Sequence, residues 1–447
     1  MLSIILAAGK GTRMKSQLPK PLHKVGGRTL LEHALASTSG IAVGPQVVVV
    51  GPGMERVAEL AKTALQDTAQ PGPAVYVQHD QRGTADAVLA AREALATQPE
   101  SDVIVLFCDT PLLRPETLSR MREALVRGAN IAVLAFEAED PAGYGRILRD
   151  ATGGVRAIRE HRDATPEERE IRLCNGGVMA FSCPDLLGLL DRITDDNAKR
   201  EFYLTDAIEI ALGDGLRVEA VTCPEEEVMG INDRTQLAEA EAVFQARARV
   251  AAMQNGATLI APGTVWFSFD TRIGQDVTIE PNVFFGPGVE IADGATVRAN
   301  CHFEHAKVGP GAIVGPFARL RPGAVLSAGV HIGNFVEVKN LEMGEGAKAN
   351  HLAYLGDGSV GAGANIGAGT IFCNYDGVNK HRTVVEEGAF VGSNSSLVAP
   401  VKVGAGAYIG SGSVITRDIA PGDLAIERSE QKTIPGWAAR KKNAPKA

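Results

Sequence analysis

From Ile273 to Ile415 an aliphatic or aromatic residue returns at every sixth position. The series runs Ile273, Ile279, Phe285, Ile291, Val297, Phe303 and, after one shorter step, Val308, Val314, Leu320, Leu326, Ile332, Val338. It continues at Met343, Ala349, Leu355, at Val360, Ile366, Phe372, and finally at Val385, Val391, Leu397, Val403, Ile409, Ile415. A glycine often follows, as in Ile273-Gly274, Val314-Gly315 and Ile409-Gly410. Six residues fit neither a helix nor a heptad; this period predicts a parallel β-helix whose turns each hold three short strands. Such turns stack at about 4.8 Å, with the apolar residue inside and small residues at the corners. Residues 374–383 break the ladder between Phe372 and Val385. A solenoid ejects such an insertion as a surface loop, where binding surfaces often form.

The N-terminal half has another rhythm. Short apolar, β-branched runs at 3–6, 47–50, 75–77, 103–107 and 131–136 alternate with helical patterns such as 84–96, where Ala87, Val88, Ala91 and Leu95 share a face. Alternating strand and helix predicts a mostly parallel, Rossmann-like α/β sheet covered on both sides. Ligands of such sheets gather at the carboxyl ends of the strands. Residues 234–253 predict one long helix with a narrow, alanine-rich stripe, capped by Asn232 or Asp233 and ended by Asn255-Gly256. The expected domains are therefore 1–231, a linker helix over 232–256, and a β-helix with a basic tail over 257–447.

Two strand ends carry candidate chemistry. Gly9-Lys10-Gly11-Thr12-Arg13-Met14 follows the first strand. It lacks the third glycine of a dinucleotide fingerprint and the spaced Gly-Lys-Ser/Thr of a P-loop. It still offers backbone N–H groups and the cations Lys10 and Arg13 to a polyphosphate, and Lys20 stands stiffened between Pro19 and Pro21. The bland alternative is a tight turn with solvated bases. Asp109, after the 103–107 run, is a natural Mg²⁺ ligand or a simple loop cap. Asn232 is either a second metal oxygen or the cap of the long helix.

Composition narrows the classes. The 447 residues carry a net charge of −8, which argues against a general nucleic-acid binder. Cys108, Cys174, Cys183, Cys223, Cys301 and Cys373 form no Cys-x-x-Cys pair, as suits a reducing cytoplasm without structural zinc. The apolar start is too short for a signal peptide or a membrane span. The basic end, from Arg440-Lys441-Lys442 to Lys446, reads as a solvated tail.

Taken in order, Leu6-Ala7-Ala8-Gly9, Leu18-Pro19-Lys20-Pro21, Gln78, Gly83-Thr84, Gly143-Tyr144-Gly145-Arg146, Glu160-His161 and Asn175-Gly176-Gly177 resemble the sugar-phosphate nucleotidyltransferases. With the solenoid added, residues 1–430 resemble the bacterial bifunctional N-acetylglucosamine-1-phosphate uridyltransferase/glucosamine-1-phosphate acetyltransferases. The resemblance implies that Leu6, Ala7, Ala8, Gly9, Gln78, Gly83 and Thr84 meet the uridine, while Arg13 and Lys20 serve the phosphates as catalytic cations. It implies that Gly145, Glu160 and Asn175 hold N-acetylglucosamine 1-phosphate, with Asp109 and Asn232 on Mg²⁺. Two positions depart from the family pattern: Phe107-Cys108-Asp109 replaces Tyr-Gly-Asp, and Gly176 replaces a threonine.

For the solenoid the resemblance implies left-handed coiling, a homotrimer, and acetyl-CoA bound between copies. His351 would be the catalytic base, although by itself it reads as a surface histidine at a corner. Arg321, Lys339, Tyr354 and Asn365 would hold glucosamine 1-phosphate. Ala368, Asn374, Tyr375, Ser393, Ser411 and Arg428 would meet acetyl-CoA, Ser411 through its backbone because relatives often carry alanine there. Two other classes remain: a zinc-dependent β-helix enzyme using His302, His305, His331, His351 and His381, and a sensor that binds nucleotide sugars without turnover.

Overall fold

The computed structural model describes residues 1–41, 44–64, 72–98, 101–182 and 185–442; Cys183 and the tail beyond Lys442 lie outside them. The chain divides into Met1–Gln245 and Ala246–Ala447. That division falls inside the helix Arg234–Gln254, not at either end of the expected linker. The first part of this helix buries Ala240 beside Met14, Val25, Leu30 and Leu112, with Phe244 packed against them. Its last part sets Ala248 and Ala252 against the β-helix core.

In the first unit the strand order is Val218–Thr222, Ile131–Glu137, Leu173–Phe181, Val103–Phe107, Leu2–Ala7, Gln46–Val50, Ala74–Val77. All pair in parallel except Leu173–Phe181, which runs antiparallel to both neighbours. The central strands are apolar on both faces because helices cover both; Ile4 and Ile5 point into separate cores and neither is exposed. Chain order reverses at Leu2–Ala7, which lies between Gln46–Val50 and Val103–Phe107. This is the switch point where a crevice opens beyond the strand ends.

The second unit is a parallel β-helix with three faces. One face stacks Thr278–Ile279, Thr296–Val297, Ile313–Val314, His331–Asn334, Lys348–His351, Asn365–Ile366, Phe390–Val391 and Tyr408–Ile409. The next carries His302–Phe303, Arg319–Leu320 and, by way of Glu337 and Tyr354, Ile371–Cys373 and Ser396–Val398. Two longer strands, Glu337–Met343 and Tyr354–Val360, turn the corner into the third face. The hexad residues form one continuous core, threaded by stacked Phe267, Phe285 and Phe303 with ring centroids 5.5 and 5.2 Å apart.

Corners are less uniform than the expected small residues. Asn340 and Asp357 adopt positive φ (45° and 53°), as short polar side chains can. Phe317 and Phe335 do so as well, with φ 56° each, and stack at 5.1 Å. The turn-to-turn contact offsets part of the strain of a bulky residue there.

Both tryptophans, Trp266 and Trp437, lie in the second unit, so tryptophan fluorescence during denaturant unfolding reports on that unit. Phe303→Ala should destabilise it by about 3–5 kcal/mol, seen as an earlier fluorescence midpoint. An unchanged midpoint would show that the aromatic column does not stabilise the prism.

Candidate active sites

At the switch point a cavity of about 480 Å³ opens, lined by Leu6, Ala7, Ala8, Gly9, Lys20, Gln78, Gly83, Thr84 and Asp109 among others. The Lys20 stem reaches it past Gly11, whose φ is 60° and where a Cβ would lie 2.7 Å from the Lys20 Cβ. Lys20 Nζ sits 2.5 Å from Asp109 Oδ2 and donates to Asn232 Oδ1 at 3.4 Å. Asn232 is thus no helix cap. Asp233 takes that role, accepting from the N–H groups of Thr235 and Gln236. Two oxygens converging on one cationic point are what a hard divalent ion would use, and Lys20 Nζ marks the place. The pair fits Mg²⁺, which keeps waters and takes phosphate oxygens beside one or two protein ligands.

Gly145, Glu160 and Asn175 form a second group. A Cβ on Gly145 would lie 3.3 Å from Glu160 Oε1 and 3.6 Å from the Asn175 Cβ. Burial pushes the Glu160 carboxyl up, against the pull of Lys199. Buried Arg146 props this loop by donating to the carbonyls of Tyr144 and Arg169. The two departures have local reasons. Cys108 is buried, and burial followed by the Asp109 charge raises its thiol to about 12, so it stays a small neutral filler. At Gly176 a Cβ would lie 2.9 Å from the Val228 Cγ1, which already occupies that space.

In the β-helix, His351 pairs in register with Asn334 of the previous turn. Its Nδ1 is 2.7 Å from Asn334 Oδ1. An acceptor at Nδ1 fixes the proton there and leaves Nε2 as the basic nitrogen facing solvent. Along the same corner, Gly369 N–H donates to His351 O, Asn394 N–H to Ala368 O, and Gly412 N–H to Ser393 O. Arg428 then donates to the Ser411 carbonyl. His351, Ala368, Ser393, Ser411 and Arg428 therefore line one edge in sequence.

The opposite corner of the adjoining face holds a groove of about 660 Å³, lined by Lys339, Asn340, Asp357, Lys380, His381 and Arg382 among others. Buried Asp357 accepts from Asn340 at 2.7 Å and from Asn374, with Lys339 Nζ 3.9 Å away. Contact with the Lys339 ammonium lowers the pKa of Lys380, so two cations crowd one place that an anion would relieve. Asn374 Nδ2 also reaches the Tyr354 hydroxyl at 3.4 Å, and Arg321 is ion-paired with Glu337 at 2.8 Å. The ejected loop is fastened by Asp376, which accepts from Val378 and Asn379 N–H and faces His381. The bonds from Asn379 N–H, His381 and Val378 N–H hold its carboxyl down at about 2.

Residues 3–203 match the family model of the MobA-like NTP transferase domain. Residues 270–304 and 382–417 match that of the bacterial transferase hexapeptide, six repeats. The chain is 54% identical to the bifunctional protein GlmU of Azorhizobium caulinodans over 98% of this chain and 96% of that protein. It is 53% identical to the one of Paramagnetospirillum magneticum, over 98% and 95%, and 51% identical to that of Agrobacterium fabrum, over 100% and 97%. The chain belongs to the GlmU family. Its second unit is the left-handed parallel β-helix of hexapeptide repeats.

In this chain the structure gathers the expected nucleotide residues except Arg13, which sits exposed on the short helical turn Thr12–Met14. It divides the expected acetyl-CoA set: Ala368, Ser393, Ser411 and Arg428 follow the His351 edge, whereas Asn374 joins Tyr354 and Asp357 at the other corner, where Tyr375 begins the loop. Asn365 opens the strand Asn365–Ile366. Sequence reading passed over Asn334, Glu337, Asn340, Asp357 and Lys380. The stacking period held the signal, because residues about 17 apart meet across turns. Among the described residues no three His, Cys, Asp or Glu side chains gather as a metal-binding group.

The Asn334 contact makes a spectroscopic prediction. In ¹⁵N-labelled protein, neutral His351 should appear as the Nδ1–H tautomer, and Asn334→Ala should shift it mainly to Nε2–H. The same tautomer in both proteins would remove Asn334 from the site.

Proposed function

We propose that this chain makes UDP-N-acetylglucosamine in two steps: the β-helix unit acetylates glucosamine 1-phosphate, and the α/β unit then joins the product to UTP. One observation carries this reading: each unit holds its own separate constellation, His351 backed by Asn334 in one and Lys20 with Asp109 and Asn232 in the other.

In the first reaction His351 Nε2 accepts a proton as the amine of glucosamine 1-phosphate attacks the thioester carbonyl, and CoA leaves as the thiol. A placed general base of this kind contributes about 10²–10⁴-fold. The crowded Lys339 and Lys380, with Arg321, bind the sugar phosphate, and Tyr354 and Asn365 border the ring. The edge from His351 through Ala368 and Ser393 to Ser411 spans three turns, about 14 Å, which suits an extended acyl-carrier arm ending at Arg428. Asn374 and Tyr375 stand at the other corner, so a ligand touching both sets lies between two copies. That supports a homotrimer, in which neighbouring prisms complete each acetyl-CoA site.

In the second reaction an N-acetylglucosamine 1-phosphate oxygen attacks the α-phosphorus of UTP in line and pyrophosphate leaves. Gly145, Glu160 and Asn175 orient the sugar, while Leu6 to Gly9, Gln78, Gly83 and Thr84 hold the uridine. Lys20 offsets charge on the transferring group. Asp109 and Asn232 would hold Mg²⁺, which when bound supplies further charge neutralisation on the phosphates. No described helix is long and apolar enough to cross a membrane, and the five described cysteines are free thiols; the thiols support a cytoplasmic setting.

The order of steps is testable with purified protein, Mg²⁺ and isolated substrates. UTP with glucosamine 1-phosphate should release pyrophosphate at least about tenfold more slowly than UTP with N-acetylglucosamine 1-phosphate. Adding acetyl-CoA to the first mixture should restore the rate and release CoA and pyrophosphate in equal amounts. Equal pyrophosphate rates from the two sugars without acetyl-CoA would contradict the proposed order.

A further inference from the structure

Gln78 lies on the wall of the nucleotide cavity, 5% exposed, with an amide whose two ends have nearly the same shape and opposite hydrogen-bonding character. Its Nε2 donates to the Gly83 carbonyl at 2.9 Å and to Asp86 Oδ2 at 2.8 Å. A backbone carbonyl and an ionised carboxylate only accept, so chemistry itself requires the amino end of Gln78 on that side. Asp86 in turn accepts from the Arg82 backbone N–H at 3.2 Å and pairs with its guanidinium at 3.0 Å. Burial works against ionisation of Asp86, but the bonds from Gln78 and Arg82 outweigh it and hold its carboxyl below the usual range. The acceptors are rigidly placed. Ala85 N–H donates to Phe202 O and Leu204 N–H to the Thr84 hydroxyl, bracing the turn that bears Gly83 and the helix Thr84–Leu89 that bears Asp86.

We propose that Asp86 is a positioning residue that sets base specificity by holding the Gln78 amide with its carbonyl toward the cavity. The inference rests on the reading that Gln78 faces the uracil. With both amide hydrogens engaged, Oε1 is what Gln78 offers to a base. Uracil and thymine present an N–H donor at N3 and satisfy it. Cytosine presents a lone pair there, leaving two acceptors face to face, and a rotated amide would lose the bonds to Gly83 and Asp86. A pocket built around one hydrogen-bond pattern rejects a ligand that cannot match it more strongly than a merely fitted one does.

The experiment compares kcat/KM for UTP and CTP in wild type, Asp86→Asn and Asp86→Ala, with N-acetylglucosamine 1-phosphate as acceptor. Asparagine keeps the size of the side chain but can donate as well as accept, so only the Gly83 carbonyl still demands the amino end; alanine removes the second acceptor. Both variants should lower the UTP-over-CTP ratio about tenfold, the value of one hydrogen bond near 1.4 kcal/mol, mainly through a lower KM for CTP. An equal loss with both nucleotides would assign Asp86 a purely structural role and overturn the proposal, as would an unchanged ratio. If wild type used CTP as well as UTP, the uracil-facing role of Gln78 would fall first, and the inference with it.

Discussion

Backbone pairing between successive turns of the β-helix decides which side chains can meet. Each strand bonds to the one a turn earlier and a turn later, in parallel and in register. Residues distant in sequence are thereby stacked at strand spacing, and the stack is inherited by whatever the corners carry. Phe285 over Phe303 fills the interior by this rule. On the outside the same rule places Asn334 against His351 and Asn340 against Asp357. The prism has little depth of its own, so its chemistry lies along edges and in the groove beside the ejected loop.

The first unit reaches a similar end by another constraint. Parallel strands must be linked by crossovers, and where the strand order reverses the crossovers part to leave a crevice. The loop after Leu2–Ala7 and Asp109 after Val103–Phe107 meet there because the two strands are neighbours. Lys20 enters past a glycine and finds Asp109 and Asn232 on the far side. Its cation satisfies two oxygens that would otherwise repel phosphate, a balance that an arriving metal and nucleotide would rearrange.

Much of this was legible in the sequence. The hexads specified the β-helix because an inward position every six residues has no competing helical reading. The α/β alternation specified the parallel sheet, though the antiparallel Leu173–Phe181 gave no sign, since a buried strand is apolar in either direction. Motif residues that line the cavity at the switch point are visible in the sequence. Residues that act through a neighbour are not: Asn334 and Asp357 matter for what they touch one turn away, and Asp86 for a glutamine outside its own helix. Asn232 and Asp233 are equally good caps by type, and only the fold shows which carboxamide or carboxylate faces the helix N–H groups. The corners taken by Phe317 and Phe335 defied the small-residue rule because stacking, visible only across turns, supports them.

Independence of the two sites is the point on which the rest turns, and it is measured by assaying both half-reactions on two variants of the full chain. Asp109→Ala should cut pyrophosphate release about a hundredfold or more while CoA release persists. His351→Ala should lower CoA release about 10²–10⁴-fold while pyrophosphate release from UTP and N-acetylglucosamine 1-phosphate persists. Loss of both activities in either variant, with the fold intact, would contradict two separate active sites on one chain.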